Sequence, residues 1–83
     1  MSETYGSNVF SKEDPKYREE MMEMLTEMGF GLGQITSIFL GLLRDPQYKE
    51  TFHLDRCLDR SDITIHREGS DVYVAYQIVE KDN

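Results

Sequence analysis

The chain changes its hydrophobic period near residue 62, and this change constrains the fold more than any other feature. Apolar residues alternate with other residues over 63–65 and again over 72–78, which is typical of half-buried strands. The segment REGSD separates the two runs and contains a glycine, as hairpin loops do. We therefore predict antiparallel strands at about 62–67 and 71–80. Because an isolated hairpin is marginally stable, it must pack on helices or pair with another chain.

Helical patterns precede the hairpin. Asp14-Pro15 is a helix start signal, since an N-cap residue precedes a proline at the first helical position, and Gly29 suits a C-terminal cap. The second helical segment has an apolar face broad enough for a central buried helix, and Asp45-Pro46 repeats the start signal for a third. The predicted helices run over about 15–28, 34–43 and 46–59.

Residues 1–13 show no hydrophobic period and are rich in small polar side chains, so we predict a flexible N-terminal arm. Its apolar residues Tyr5, Val9 and Phe10 would let part of the arm dock on the body or on a partner. Residues 14–83 then form a single domain. The expected fold class is α+β, a small three-helix domain with a C-terminal antiparallel β-hairpin.

The chain has 83 residues, and domains of this size usually need a disulfide framework, a metal or a second subunit. A single cysteine excludes an internal disulfide. Together with His53 and His66, Cys57 gives three candidate ligands, fewer than a structural zinc site requires. We therefore expect no metal and no cofactor. Self-association needs no special residue, so the length leaves a homodimer or small oligomer as open as a monomer.

The segment HLDRCLDR, residues 53–60, is the one that most resembles a reactive site. On a helix, His53 and Cys57 would lie one turn apart. A nucleophile and base also need an orienting third group and an oxyanion hole in a cleft, and a helical domain of this length leaves little room for a cleft of about 300 Å³ or more. We expect Cys57 in the core, His53 in solvent and no enzymatic activity. The glycine-rich segment 29–33 lacks the Gly-Lys-Ser/Thr of a phosphate loop, so it is interpreted as a helix cap.

Charge limits the classes of partner. The 16 acidic and 9 basic residues give a net charge of −7, which disfavours nucleic acid and anionic membranes. The longest apolar stretch, 32–43, is interrupted and too short to span a bilayer. With no export signal and one cysteine, we expect a cytoplasmic protein.

The first predicted helix carries the candidate binding surface. Acidic side chains share its polar side, while methionines exceed what one core stripe needs and are suited to adaptable contacts. The predicted partner-binding residues are Glu19, Glu20, Glu23, Glu27, Met22 and Met24, with Met21, Leu25 and Met28 left to the core. We predict a small acidic regulator or inhibitor that occludes a protein partner with a basic surface. Its size and charge also suit viral inhibitors of host machinery.

Two alternatives stay open. Three helices and a hairpin are the element order of a winged-helix DNA-binding regulator, with helix 46–60 as reader and the hairpin as wing. The candidate DNA-binding residues are Arg44, Lys49, Arg56, Arg60 and Arg67. Between residues 44 and 71, however, five basic and seven acidic side chains leave a charge of −2, where a phosphate-facing surface needs a positive surplus. The second alternative is a homo-oligomeric structural component.

Overall fold

A computed structural model describes residues 2–81. Its elements in chain order are β1 (Glu3–Ser11), α1 (Tyr17–Met28), α2 (Leu32–Arg44), β2 (Lys49–Asp55), β3 (Asp59–Glu68) and β4 (Asp71–Glu80). The four strands form one antiparallel sheet in the order β1-β4-β3-β2, and both helices pack on one of its faces. The predicted α+β class is confirmed. The predicted count of three helices is wrong, because residues 2–81 form two.

The core lies between the helices and one face of the sheet. α1 contributes Tyr17, Met21 and Leu25, which are spaced four residues apart along the helix, and all three are buried. The other buried apolar side chains are Phe30, Ile35, Ile38, Leu42, Ile63, Ile65, Val72 and Val74. Each fully buried aliphatic side chain contributes about 1.5–3 kcal/mol. The core roles predicted for Met21 and Leu25 are confirmed, whereas Met28 is half-buried.

The segment predicted as a flexible arm, 1–13, contains β1. This strand pairs with β4 over nine consecutive residue pairs, from Glu3 with Val79 to Ser11 with Asp71. Phe10 packs against the core from β1, and Gly6 leaves room for the ring of Tyr76, which a Cβ at that position would overlap. Pairing with β4 satisfies the strand's backbone N–H and C=O groups along one edge. The hydrophobic pattern of residues 1–13 does not reveal this pairing.

The predicted helix over 46–59 is also wrong. Its place is taken by β2 and by a tight turn in which the amide of Arg56 donates to the carbonyl of Asp59 at 2.9 Å. The apolar residues of this region stand at even positions, which suits a strand better than a helix. Phe52 and Leu54 pack against the core from β2, and the Phe52 ring meets Phe30 edge to face with centroids 5.2 Å apart.

The predicted hairpin is β3 and β4. β4 has the predicted bounds, and β3 is longer than predicted because it begins at Asp59. Ile65 opposite Val74 lies at the centre of the ladder and faces the helices. Gly69 adopts a φ of 60° in the connecting loop, a conformation that glycine reaches without strain.

Candidate functional site

The outer side of the helical layer carries an apolar groove between α1 and α2. We name it the α1–α2 groove. Its volume is about 460 Å³, and its lining residues are Arg18, Glu19, Met22, Thr36, Phe39, Leu40 and Leu43. Three of its apolar side chains are largely open to solvent, since Met22 and Leu40 are each 42% exposed and Leu43 is 61% exposed. These exposed apolar side chains therefore share one groove and are not scattered singly over the surface.

The breadth of the apolar face of α2 explains the groove. Ile35, Ile38 and Leu42 are buried against the sheet, and they already fill the core-facing side of the helix. Phe39, Leu40 and Leu43 then lie outside the buried stripe, on the flank that meets α1. The prediction that α2 is a central buried helix is therefore wrong, because part of its apolar face opens to solvent.

A second cavity continues the groove toward the start of α1. Its volume is about 370 Å³, and it shares Arg18, Phe39 and Leu43 with the first cavity. Its wall is an edge-to-face pair of Tyr17 and Phe39, with ring centroids 6.0 Å apart. A tyrosine side chain is neutral at pH 7, and burial raises the pKa of the Tyr17 hydroxyl further. The second cavity therefore adds the Tyr17 ring to the apolar lining, while Lys12, Asp14 and Arg18 make part of its wall polar.

The opposite flank of α1 forms a different groove, next to β1. We name it the α1–β1 groove. Its volume is about 310 Å³, and its lining residues are Asn8, Phe10, Glu20, Glu23, Met24 and Glu27. The Asn8 amide donates to the Met24 sulfur at 3.4 Å, which ties the helix to the strand. The charge here is acidic, with three carboxylates and no basic side chain among the lining residues.

The predicted partner-binding residues are thus divided by α1 itself. Glu19 and Met22 line the α1–α2 groove, and the other four line the α1–β1 groove. Sequence reasoning missed Phe39, Leu40 and Leu43. Their signal was present in the width of the apolar face on α2, which was assigned wholly to the core.

The predicted DNA-binding residues do not form one surface. Arg67 is on the helix side of the sheet, where its Nη1 donates to the Leu42 carbonyl at 2.9 Å and its Nε to the Gly69 carbonyl at 2.8 Å. Arg56 is held by Asp59, at 2.8 Å from Nε to Oδ1. Both residues therefore serve the fold. Lys49 and Arg60 lie on the opposite face, and Arg44 lies at the exposed end of α2.

The sheet face away from the helices is polar. Nδ1 of His53 lies 2.5 Å from Oδ1 of Asp62, and the rings of His66 and Tyr73 stack with centroids 4.9 Å apart. The strand register places on this face the acidic residues Glu3, Asp55, Asp62, Glu68 and Asp71 and the basic residues Lys49 and Arg60. The face is therefore acidic overall, which does not suit contact with phosphates.

HLDRCLDR folds as the end of β2, a turn and the start of β3. Cys57 lies in the turn and is exposed, so its predicted place in the core is wrong. The predicted exposure of His53 is confirmed. The turn is held by Lys81, whose Nζ donates to the Asp55 carboxylate and to the Arg56 carbonyl. The ammonium group accordingly lowers the pKa of Asp55, through the hydrogen bond and then through charge.

Among residues 2–81, no group of three or more histidine, cysteine, aspartate or glutamate side chains is placed to hold a metal ion. Over the same range, neither helix is long and apolar enough to cross a membrane. The chain matches no family model, and comparison with curated proteins and with solved structures also finds no match.

Proposed function

We propose that the protein is a small, non-enzymatic regulator or inhibitor that binds a protein partner and covers part of its surface. The observation that carries the proposal is the α1–α2 groove. Solvent-exposed Met22, Leu40 and Leu43 surround the half-buried ring of Phe39. Removing these side chains from water on binding would contribute roughly 25 cal/mol per Å² of apolar area, against which the entropy lost on association must be set.

The shape of the groove favours one kind of occupant. Two helices side by side leave a shallow apolar channel, and an amphipathic helix of a partner fits such a channel through residues spaced three and four apart. Arg18 and Glu19 at the rim would fix its direction by pairing with opposite charges. The net charge of −7 would steer the protein toward a partner with a basic surface.

The winged-helix alternative loses its structural basis, because the helix that was to read DNA is β2. The homo-oligomeric alternative keeps a basis, since a second copy could also cover the α1–α2 groove. Sizing the protein alone separates this alternative from partner binding. A monomer that captures one stoichiometric protein supports the proposal, whereas a dimer that dissociates when the groove is altered contradicts it.

The test is a nuclease-treated capture from the native lysate with three forms of the protein. The wild type is compared with a Leu40→Glu/Leu43→Glu variant, which places two charges in the groove. Leu32→Glu is the matched control, because Leu32 is on the same helix and 71% exposed but does not line the groove. We expect the partner to be retained by the wild type and the control and lost by the groove variant. Equal retention by all three would contradict the proposal.

A further inference from the structure

β1 is an edge strand with an open side. Within residues 2–81 it pairs with β4 alone. Two backbone hydrogen bonds at its ends show which residues of β1 bond to β4. The amide of Glu80 donates to the carbonyl of Ser2, and the amide of Lys12 donates to the carbonyl of Ser70. In an antiparallel pair, the residues bonded to the partner alternate with residues whose N–H and C=O point away.

The even-numbered residues of β1 therefore bond to β4, and the odd-numbered residues point their backbone groups outward. The outward residues are Glu3, Tyr5, Ser7, Val9 and Ser11. They form a regular row of donors and acceptors along nine residues without a bulge. Natural proteins usually block such edges with lysine, proline, bulges or charge. β1 has no lysine, no proline and a single charged residue, Glu3, at its first position.

The α1–β1 groove selects what can pair with this edge. Glu20, Glu23 and Glu27 line it together with Asn8 and Phe10 of β1, so a strand added beside β1 would lie near three carboxylates. A segment with basic side chains on its helix-facing side would gain from them. An acidic or apolar segment would not.

A second copy of this chain is a poor occupant of the same edge. Antiparallel pairing of two β1 strands about a two-fold axis perpendicular to the sheet would place both helical layers on one face of a continuous sheet. The α1 helices would then approach each other with Glu20, Glu23 and Glu27 from both copies facing across the interface. Like charges in this arrangement oppose association.

We propose that the free edge of β1 binds a basic, extended segment of another protein as a fifth strand. The backbone of Tyr5, Ser7 and Val9 supplies the hydrogen bonds. The carboxylates of Glu20, Glu23 and Glu27 supply the preference for lysine or arginine at alternate positions. This surface lies on the opposite flank of α1 from the α1–α2 groove, and the proposal stands whether or not that groove binds a helix.

The probe is a synthetic peptide of nine residues in which lysine alternates with valine or threonine. Its control has the same side chains but N-methyl groups at alternate backbone positions, which leave its charge unchanged and remove the hydrogen bonds needed for pairing. We expect the first peptide to bind the 83-residue chain and the second to bind about tenfold more weakly. Equal binding of both peptides would show a nonspecific attraction of charges and overturn the proposal, as would no binding of either.

Two protein variants locate the peptide. Ser7→Pro removes an outward N–H while leaving every bond to β4, a placement that edge strands tolerate, and it should weaken binding about tenfold. Glu20→Gln/Glu23→Gln/Glu27→Gln should also weaken binding about tenfold, since three exposed charge pairs are lost. Glu68→Gln is the control, because Glu68 is an exposed carboxylate on β3 that lines neither groove, and it should leave affinity unchanged. Wild-type affinity in Ser7→Pro would place the peptide elsewhere and overturn the proposal.

Hydrogen exchange on the wild-type protein gives a readout that needs no variant. The amides of Tyr5, Ser7 and Val9 should exchange rapidly in the free protein and slow on addition of the alternating peptide. The amides of Gly6 and Asn8 should already be slow, because they bond to β4. Unchanged exchange at all three odd positions contradicts strand addition. A dimer by light scattering that Ser7→Pro converts to a monomer would make a second copy the occupant and overturn the proposal.

Discussion

The two edges of the sheet are built differently. In β2 the same ladder alternation applies, because the amide of Arg67 donates to the carbonyl of Tyr48, so the odd-numbered residues of β2 point outward. These are Lys49, Thr51, His53 and Asp55. Three of the four are ionisable. The outward residues of β1 include one ionisable carboxylate, Glu3, and four side chains that are neutral at physiological pH.

This difference indicates that β2 is a protected edge and β1 an available one. Charged side chains along β2 would be forced close to any added strand and would lose hydration, which disfavours pairing. Lys81 also ties the end of β2 to the tail of the chain. β1 has no comparable device among the described residues. The carboxylates of Glu20, Glu23 and Glu27 line the groove beside it, and under the strand-addition proposal they would favour a basic partner instead of blocking every partner.

The largest expected effect comes from a change in the hydrophobic core, on which both edge strands depend. Ile65 is fully buried at the centre of β3, and Ile65→Ala should cost about 2–5 kcal/mol, since it leaves a cavity between the sheet and the helices. Urea unfolding measures this loss. Amide hydrogen exchange should accelerate in both β1 and β2, because both edge strands depend on the same hydrophobic core. If only one edge accelerated, the two would be separate cooperative units.

The second effect tests the ladder phase on which the comparison depends. Asn8→Pro removes an amide that bonds to β4 and leaves a carbonyl without its donor, so it should cost about 2–4 kcal/mol. Ser7→Pro changes an amide that points outward and should cost less than about 1 kcal/mol. Urea midpoints of the two variants give the comparison. Equal losses would mean that the assigned alternation along β1 is wrong.

Two Asp-Pro pairs show how much of the secondary structure the local sequence can predict. Oδ1 of Asp14 accepts from the amide of Lys16, and Oδ1 of Asp45 accepts from the amide of Gln47, both at 2.9 Å. The sequence predicted a helix after each pair. The first turn leads into α1 and the second into β2, because an aspartate turn of this kind starts either element. The even spacing of Tyr48, Phe52 and Leu54, which pack against the core, makes the second element a strand.

The candidate site was predictable to a similar extent. The acidic and methionine-rich character of α1 is visible in the sequence, and so are Met21 and Leu25 as core residues. The division of that surface by α1 is not visible, since it depends on α2 lying along one flank and β1 along the other. β1 itself is recognised only through its pairing with β4, which lies at the other end of the chain, and no local period carries that information.

The third prediction compares the two side chains that bind the C-terminal end of α2, one from each side of the sheet. The Leu42 carbonyl accepts from Arg67 of β3, next to β2, and from Lys12, which comes directly after β1, at 2.9 and 3.1 Å. Arg67→Ala should cost about 1–2 kcal/mol, because it removes one charged hydrogen bond to the Leu42 carbonyl near the C-terminus of α2 and another to the Gly69 carbonyl in the hairpin loop. Lys12→Ala should cost less, since one bond is lost and burial, with the charge of Arg67, lowers the pKa of Lys12. Urea unfolding of both variants decides the order, and a larger loss for Lys12→Ala would place the main attachment on the β1 side.

The smallest effect concerns the ion pair between Lys81 and Asp55 at the end of β2. The hydrogen bond from Lys81 and its charge lower the pKa of Asp55 in the folded protein. At neutral pH, well above the ordinary aspartate pKa of about 3.9, the Asp55 carboxylate is therefore ionised and held by Lys81. That contribution is lost as the pH falls through the lower folded value. Because the carboxylate is exposed, we expect a slight loss of stability that shrinks further in salt.

Carbon-13 NMR of the Asp55 carboxyl group measures this pKa directly. The midpoint in the wild type should lie below about 3.9, and Lys81→Met should return it toward that value, because the variant removes the ammonium group and keeps most of the side chain's length. The amide of Arg56, which donates to the Asp59 carbonyl across the turn, should exchange faster in the same variant. A wild-type midpoint at the ordinary value would show that Lys81 does not hold the end of β2, and protection of this edge would then rest on Lys49 and His53 alone.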